Sequence, residues 1–268
     1  MKDKVVIITG GSSGIGKSLA AKFGTQGSKV LITGRNKTEL DKTVSELQSR
    51  GITIHSFQGD VTMEQDNAAM AAEAVRIYGT IDILINNAGI SMRAAFTEVD
   101  LAVVRKVIET NYFGAVYATR YCLPEIIKNK GSVVGISSIA GFVGLPGRTG
   151  YSSSKFALNG FLEVLRIELL KTGVHVLTAC PGFTASNIRK RALAKSGKEQ
   201  GESPRDEEAM MTAEECAYHI YGAVVKRKRL LILTRQGKLA VWLNKWWPSL
   251  ADKLVYSIMA KETGAPIK

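Results

Sequence analysis

Short apolar runs rich in Val, Ile and Leu alternate along this chain with longer stretches whose apolar positions recur every three or four residues. The runs predict strands over 4–9, 29–33, 52–57, 81–86, 132–137, 174–179 and 230–233. The periodic stretches predict helices over 14–24, 37–50, 63–78, 112–128, 151–171 and 213–225. A strand that is apolar at nearly every position is buried on both faces, as parallel strands are beneath crossover helices. Right-handed crossovers then give a single doubly wound α/β sheet of seven parallel strands with helices on both faces, filling residues 1–234. No repeat or linker divides it.

Two segments break the alternation. Residues 183–211, rich in Ser, Gly, Lys and Glu, are longer than an ordinary connection and have the size of a lid over a substrate. Thr212 and Glu215 then show capping-box spacing and restart a helix. Residues 235–268 form a basic, amphipathic C-terminal extension. There Leu239, Trp242, Leu243, Trp246 and Leu250 recur at helical spacing with Lys238 and Lys245 between them, and Pro248 starts a second helix. This extension holds all three tryptophans.

Charge sharpens that picture. The formal net charge is +12, and ten basic residues against Asp252 and Glu262 between Lys226 and Lys268 place +8 of it at this end. Cys122, Cys180 and Cys216 are odd in number and lack a C-x-x-C pair, which predicts free thiols in a reducing compartment. The first residues run straight into a strand, and no apolar run reaches the ~20 residues of a membrane span. A cytoplasmic protein is expected, peripheral on the inner face of a membrane if the extension attaches it there. His55, His175 and His219 are scattered without metal-ligand spacing, so no metal site is expected.

The first predicted strand leads through "TGGSSGIG" into the first helix, placing Gly10, Gly14 and Gly16 in the turn. Glycines there allow a tight bend and close backbone approach, and the helix N-terminus offers N–H groups to a pyrophosphate; Ser12, Ser13 and Ile15 share the turn. The alternative is a tight turn that holds nothing. After the second strand, where a carboxylate usually takes a ribose 2′-hydroxyl, the sequence has Gly34 and then Arg35. A guanidinium suits a 2′-phosphate, so NADP(H) is favoured over NAD(H). Tyr151 and Lys155 stand four residues apart at the start of a predicted helix and share a face; alone, such a pair is more often a tyrosine packed on a lysine stem.

In order, "TGGSSGIG" (9–16), "GDV" (59–61), "NNAG" (86–89), Asn111, "ISSIAG" (136–141), "YSSSK" (151–155) and "PG" (181–182) give the chain a resemblance to the short-chain dehydrogenase/reductase family over residues 4–233. The resemblance implies a Rossmann-like fold and an NADP(H)-dependent interconversion of a ketone and a secondary alcohol. It implies that Tyr151 is the acid or base, its phenol brought below its ordinary pKa of about 10 by the Lys155 ammonium. It implies that Lys155 also holds the nicotinamide ribose, that Ser138 polarises the carbonyl, and that Asn111 holds a water in a proton relay. By the same resemblance Asp60 and Val61 contact the adenine, Asn87, Ala88 and Gly89 line the adenosine ribose side, and Pro181, Gly182 and Thr184 meet the nicotinamide. Ile90, Met92, Phe142, Val143, Leu145 and Phe183 would surround the substrate. Relatives pair through the helices near 112–128 and 151–171, so a homodimer or homotetramer is expected.

The extension leaves three readings open: packing on its own domain or a second subunit, resting on an anionic membrane surface, or binding nucleic acid. The last is disfavoured, because charge alone is no recognition motif. A membrane-resting enzyme would meet hydrophobic keto substrates, of the 3-ketosphinganine or 3-oxoacyl type. Two other classes compete with a reductase: a non-catalytic NADP-binding sensor, and a membrane-surface protein on the same fold.

Overall fold

The computed structural model describes residues 1–204, 206–207 and 210–267. Strands β1 (Val5–Thr9), β2 (Lys29–Gly34), β3 (Ile54–Gln58), β4 (Ile83–Asn86), β5 (Ser132–Ile136), β6 (His175–Cys180) and β7 (Leu230–Ile232) pair in parallel in the order β3-β2-β1-β4-β5-β6-β7. Each predicted strand is present, and each shifts by no more than two residues at either end.

The apolar runs exist because each strand serves two cores. Along β1, Val6 and Ile8 meet Leu19 and Phe23 of α1 (Gly14–Thr25) and Leu40 of α2 (Lys37–Gln48), while Ile7 between them faces the opposite layer. That second layer is built from Met70 of α3 (Glu64–Tyr78), with Cys122 and Leu158 from two later helices. At about 1.5–3 kcal/mol for each such side chain removed from water, neither face tolerates a polar residue. Between β1 and β4 the strand order reverses, so the connections leave in opposite directions and open a crevice at the strands' carboxyl ends.

One helix was not foreseen. α4 (Leu101–Ile108) starts at Asp100, whose side chain accepts from the Ala102 amide at 2.8 Å. It continues through a π-helical turn, Glu109–Phe113, into α5 (Gly114–Lys128). The helix expected to start at 112 is therefore the second half of a longer one. The π-turn carries Asn111, in keeping with the placing of such bulges at functional sites.

After β5, the chain runs through a short 3-10 turn, Ile139–Gly141, to α6 (Thr149–Glu168). α7 (Ala213–Val225) has the foreseen capping box at Thr212 and Glu215. Of the segment 183–211, residues 205, 208 and 209 lie outside the described residues. The rest is irregular, fastened by isolated bridges of Thr184 to Met211 and of Leu193 to Met92.

The extension folds as α8 (Arg235–Trp246) and α9 (Pro248–Ala260), and both pack on this domain. Gly237 makes the approach of α8 possible: a Cβ there would lie 2.6 Å from Ile139 Cδ1. Asn244 Nδ2 donates to the Phe142 carbonyl at 2.9 Å. α9 turns inward a stripe of Ala251, Val255 and Met259, continued past its end by Glu262. The Glu262 side chain is 2% exposed, and its Oε2 lies 2.8 Å from Arg148 Nη2 and 3.6 Å from Arg93 Nε. Arg93 also donates to the Thr263 carbonyl at 2.6 Å.

Removing this acid leaves two buried guanidinium groups without a counter-charge. Glu262→Ala is expected to lower the unfolding free energy by about 3 kcal/mol and to loosen α9. Urea denaturation and the rate of proteolysis within residues 247–260 check both.

Candidate active site

The crevice floor is the turn after β1. Gly10 has φ +65°, and a Cβ on it would lie 2.9 Å from Ala88 Cα; a Cβ on Gly16 would lie 2.2 Å from the Gly10 carbonyl oxygen. The turn is thus pressed against the end of β4 with no room for side chains. Asn87 bolts the two together, its Nδ2 donating to the carbonyls of Thr9 at 2.9 Å and Gly10 at 3.0 Å. Thr9 Oγ1 accepts from the amides of Asn87 and Ala88. Both Nδ2 protons of Asn87 are thus used within the protein.

α1 opens from Ser13 with no side-chain cap and no acidic residue in its first turn. Its free N–H groups and the positive end of its dipole are left for an anion. Gly34 and Arg35 follow β2 as expected. Ser12 Oγ approaches Gly34, and the exposed Arg35 reaches to 4.0 Å of Asp60 Oδ2. Asp60 Oδ1 accepts from the Thr62 amide and hydroxyl, and Val61 packs against Gly114. A side-chain-free cradle and an uncapped helix start fit a dinucleotide, with the basic Arg35 at the edge.

The second group of residues meets at the ends of β4 and β5 and the start of α6. Lys155 is buried, and its Nζ donates to the Ile136 carbonyl at 2.9 Å. The same atom lies 5.7 Å from the centre of the Tyr151 ring and close to Gly89. Tyr151 and Lys155 thus do share a helix face. Ser138 lies two residues past β5, caps the 3-10 turn by accepting from the Ala140 amide at 3.1 Å, and acts on the Tyr151 phenol. Asn111 is 1% exposed; its Nδ2 donates to the Ile90 carbonyl and to Ser154 Oγ, both at 2.9 Å, and its Oδ1 accepts from the Ile90 amide at 2.8 Å. The side chain thereby braces α6 against the loop after β4.

The electrostatics correct one expectation. Loss of water around Tyr151 pushes its phenol above the ordinary 10; the Ser138 hydrogen bond and the charges of Arg148 and Arg189 pull it back only in part. Lys155 is shifted as well. Burial brings its own pKa down to about 8, because an ammonium without water is disfavoured. Arg148 precedes Tyr151 by three residues, and Arg189 sits in the irregular segment after β6, paired with Glu207 at 2.9 Å and donating to the Thr184 carbonyl. Neither arginine belonged to the expected set, although the position of Arg148 beside the tyrosine was a signal.

Pro181 and Gly182 follow β6 at the rim, where Thr234 would meet any Cβ on Gly182 at 2.7 Å. Thr184 is buried, with its hydroxyl donating to the Gly182 carbonyl. The six apolar residues expected around the substrate differ in burial. Met92 and Val143 are core residues, and Met92 Sδ accepts from the Gly150 amide, whereas Ile90, Phe142, Leu145 and Phe183 retain exposure.

Comparison with known proteins adds a family. Residues 4–197 match the family described as short chain dehydrogenase. The chain is 34% identical over 272 residues to the Danio rerio protein named Dehydrogenase/reductase SDR family member 7B, covering 98% of this chain and 88% of that one. A short chain dehydrogenase/reductase from Burkholderia phymatum, solved in complex with NAD, superposes with a TM-score of 0.83 at 23% identity, covering 93% of this chain and 95% of that one. An alcohol dehydrogenase from Thermococcus sibiricus, complexed with 5-hydroxy-NADP, gives 0.76 at 22% identity over 87% and 96%.

The buried lysine yields a test. The fall from 10.5 to about 8 disfavours its charged form by about 3 kcal/mol. Lys155→Met, which removes that charge but leaves the Ile136 carbonyl without its donor, is expected to stabilise the nucleotide-free protein at pH 7 by about 2 kcal/mol. The unfolded chain keeps the proton up to about 10.5 and the folded one only to about 8, so the wild type regains stability across that window and the difference closes. Urea denaturation at pH 7 and near pH 10.5 checks the sign.

Proposed function

The chain belongs to the short-chain dehydrogenase family, a family of oxidoreductases, and from that premise we propose that it is an NADP(H)-dependent reductase interconverting a ketone and a secondary alcohol. The convergence of Ser138, Tyr151 and Lys155 at the mouth of the glycine-lined crevice carries this reading. Gly10, Ser12, Ser13, Gly14, Ile15 and Gly16 hold the pyrophosphate on backbone N–H groups. Arg35 takes the 2′-phosphate, with no carboxylate at Gly34 to favour a bare ribose. The nicotinamide, when bound, supplies or accepts a hydride at its C4.

The protein's own part is proton delivery and placement. Tyr151 keeps its proton at neutral pH because its surroundings oppose the phenolate, which suits donation to a carbonyl oxygen. Ser138 aims a second donor at the same developing charge. Lys155, rigid against Ile136, fixes the ribose side and supplies a positive charge that a bound phosphate-bearing cofactor favours. Asn111 is a positioning residue. The exposed Phe183 and half-buried Phe142 support a hydrophobic ketone as substrate. Phe156, Val164 and Ile167, exposed along α6, support pairing of two copies through that helix.

Two variants test the reading. Tyr151→Phe is expected to lower turnover of a ketone panel by about 10²–10⁴-fold, with NADPH affinity unchanged in a fluorescence titration; undiminished turnover removes Tyr151 from its role. Arg35→Ala is expected to raise the KM for NADPH at least about tenfold and to leave that for NADH nearly unmoved. An equal effect on both cofactors would refute the phosphate assignment.

A further inference from the structure

The two C-terminal helices carry more exposed apolar surface than their packing uses. The inward stripe of α9 is Ala251, Val255 and Met259; a second stripe, Leu250, Leu254 and Ile258, repeats one residue earlier and remains exposed. On α8, Leu239, Trp242 and Trp246 are likewise at least half exposed. At the corner between the helices Trp247 meets Trp242 edge-on, with ring centres 5.1 Å apart, and Lys245 Nζ lies 5.4 Å over the Trp246 ring. Aromatic and cationic groups thus form one mixed surface. Such a patch on a water-soluble face is far more than scattered exposure.

The geometry points to the outer face of α8–α9 as a docking surface for an anionic lipid bilayer. Amphipathic helices that lie in a membrane interface combine Trp and Leu with Lys and Arg in this way. No described helix is long and apolar enough to span, so the contact is with the surface. Charge separates this occupant from a second copy of the chain. Across α8 and α9, Arg235, Lys238, Lys245 and Lys253 stand against Asp252 alone. Two such faces packed together set like charges opposite one another, whereas an anionic headgroup layer neutralises them. The acid that follows, Glu262, is already neutralised inside by Arg93 and Arg148.

The same helices rest on the connection between the two proton-handling groups. Gly237 touches Ile139, Asn244 bonds Phe142, and Glu262 pairs with Arg148, all between Ser138 and Tyr151 in sequence. Docking therefore couples this connection to the lipid surface, where a hydrophobic ketone would be concentrated. That last step rests on the proposed reductase activity; the docking does not.

The test is sedimentation of the full chain with vesicles of phosphatidylcholine containing about one third phosphatidylglycerol, against vesicles of phosphatidylcholine alone. Wild type is expected to sediment with the anionic vesicles and to weaken several-fold as salt approaches ~1 M, where the screening length is about 3 Å. The double variants Trp242→Glu/Trp246→Glu and Lys245→Glu/Lys253→Glu are each expected to bind at least about tenfold less, with circular dichroism and NADPH binding unchanged. Absence of wild-type sedimentation, or variants that bind as well as wild type, would overturn the proposal. So would a wild-type dimer that ignores vesicles and that the tryptophan variant splits, which would give the face to a second copy. Because the readout is binding, failure here leaves the reductase reading standing, and failure of turnover leaves this one standing.

Discussion

A lysine withdrawn from water sets the terms for the catalytic end of this protein. Its ammonium has the Ile136 carbonyl for a partner and lies beside Gly89, a position where any side chain would crowd Asn111. Those contacts require the ends of β4 and β5 to sit at fixed heights relative to α6, so the sheet register and the helix placement are constrained by one buried charge. The cost of that burial is retained because the group it presents is rigid. A mobile surface lysine would carry the charge at less cost and place it nowhere in particular.

The phenol next to it obeys the same physics with the opposite outcome. Desolvation opposes charge on either group, so it lowers the pKa of Lys155 and raises that of Tyr151. In the free protein the pair is therefore a proton-bearing tyrosine beside a weakened ammonium, not a phenolate made ready by its neighbour. Arg148 and Arg189 are the cations that act on the tyrosine, and both are held by acids from late in the chain, Glu262 and Glu207. The extension and the segment after β6 are thus electrostatic parts of the site.

This coupling explains how a basic extension can be both anchored and outward-looking. A stripe of small and apolar residues, closed by one glutamate, seats α9, while the tryptophans around it stay at least half exposed. Seating and display use different sides of the same helices.

The order of strands and helices followed from periodicity, since a residue's position relative to its neighbours decides which face it occupies. The glycine turn, the arginine after β2 and the Tyr151–Lys155 spacing were equally legible, because each depends on a few consecutive residues. α4 was missed: its apolar pair Val103 and Val107 is too short a pattern to stand out, and the capping Asp100 has meaning only once a helix is there. What the chain's local order could not contain was the partnership of distant groups. Asn87 turned into Thr9 and Gly10, Asn111 bracing Ile90 and Ser154, and Glu262 held by Arg93 and Arg148 all join positions far apart in sequence. The shifted pKa values of Tyr151 and Lys155 follow from burial, which belongs to the packed molecule. Local spacing determined which chemical groups are present and on which side of each element they stand; only the folded whole decided how much water and charge surrounds them, because desolvation and Coulomb energy depend on distances through space.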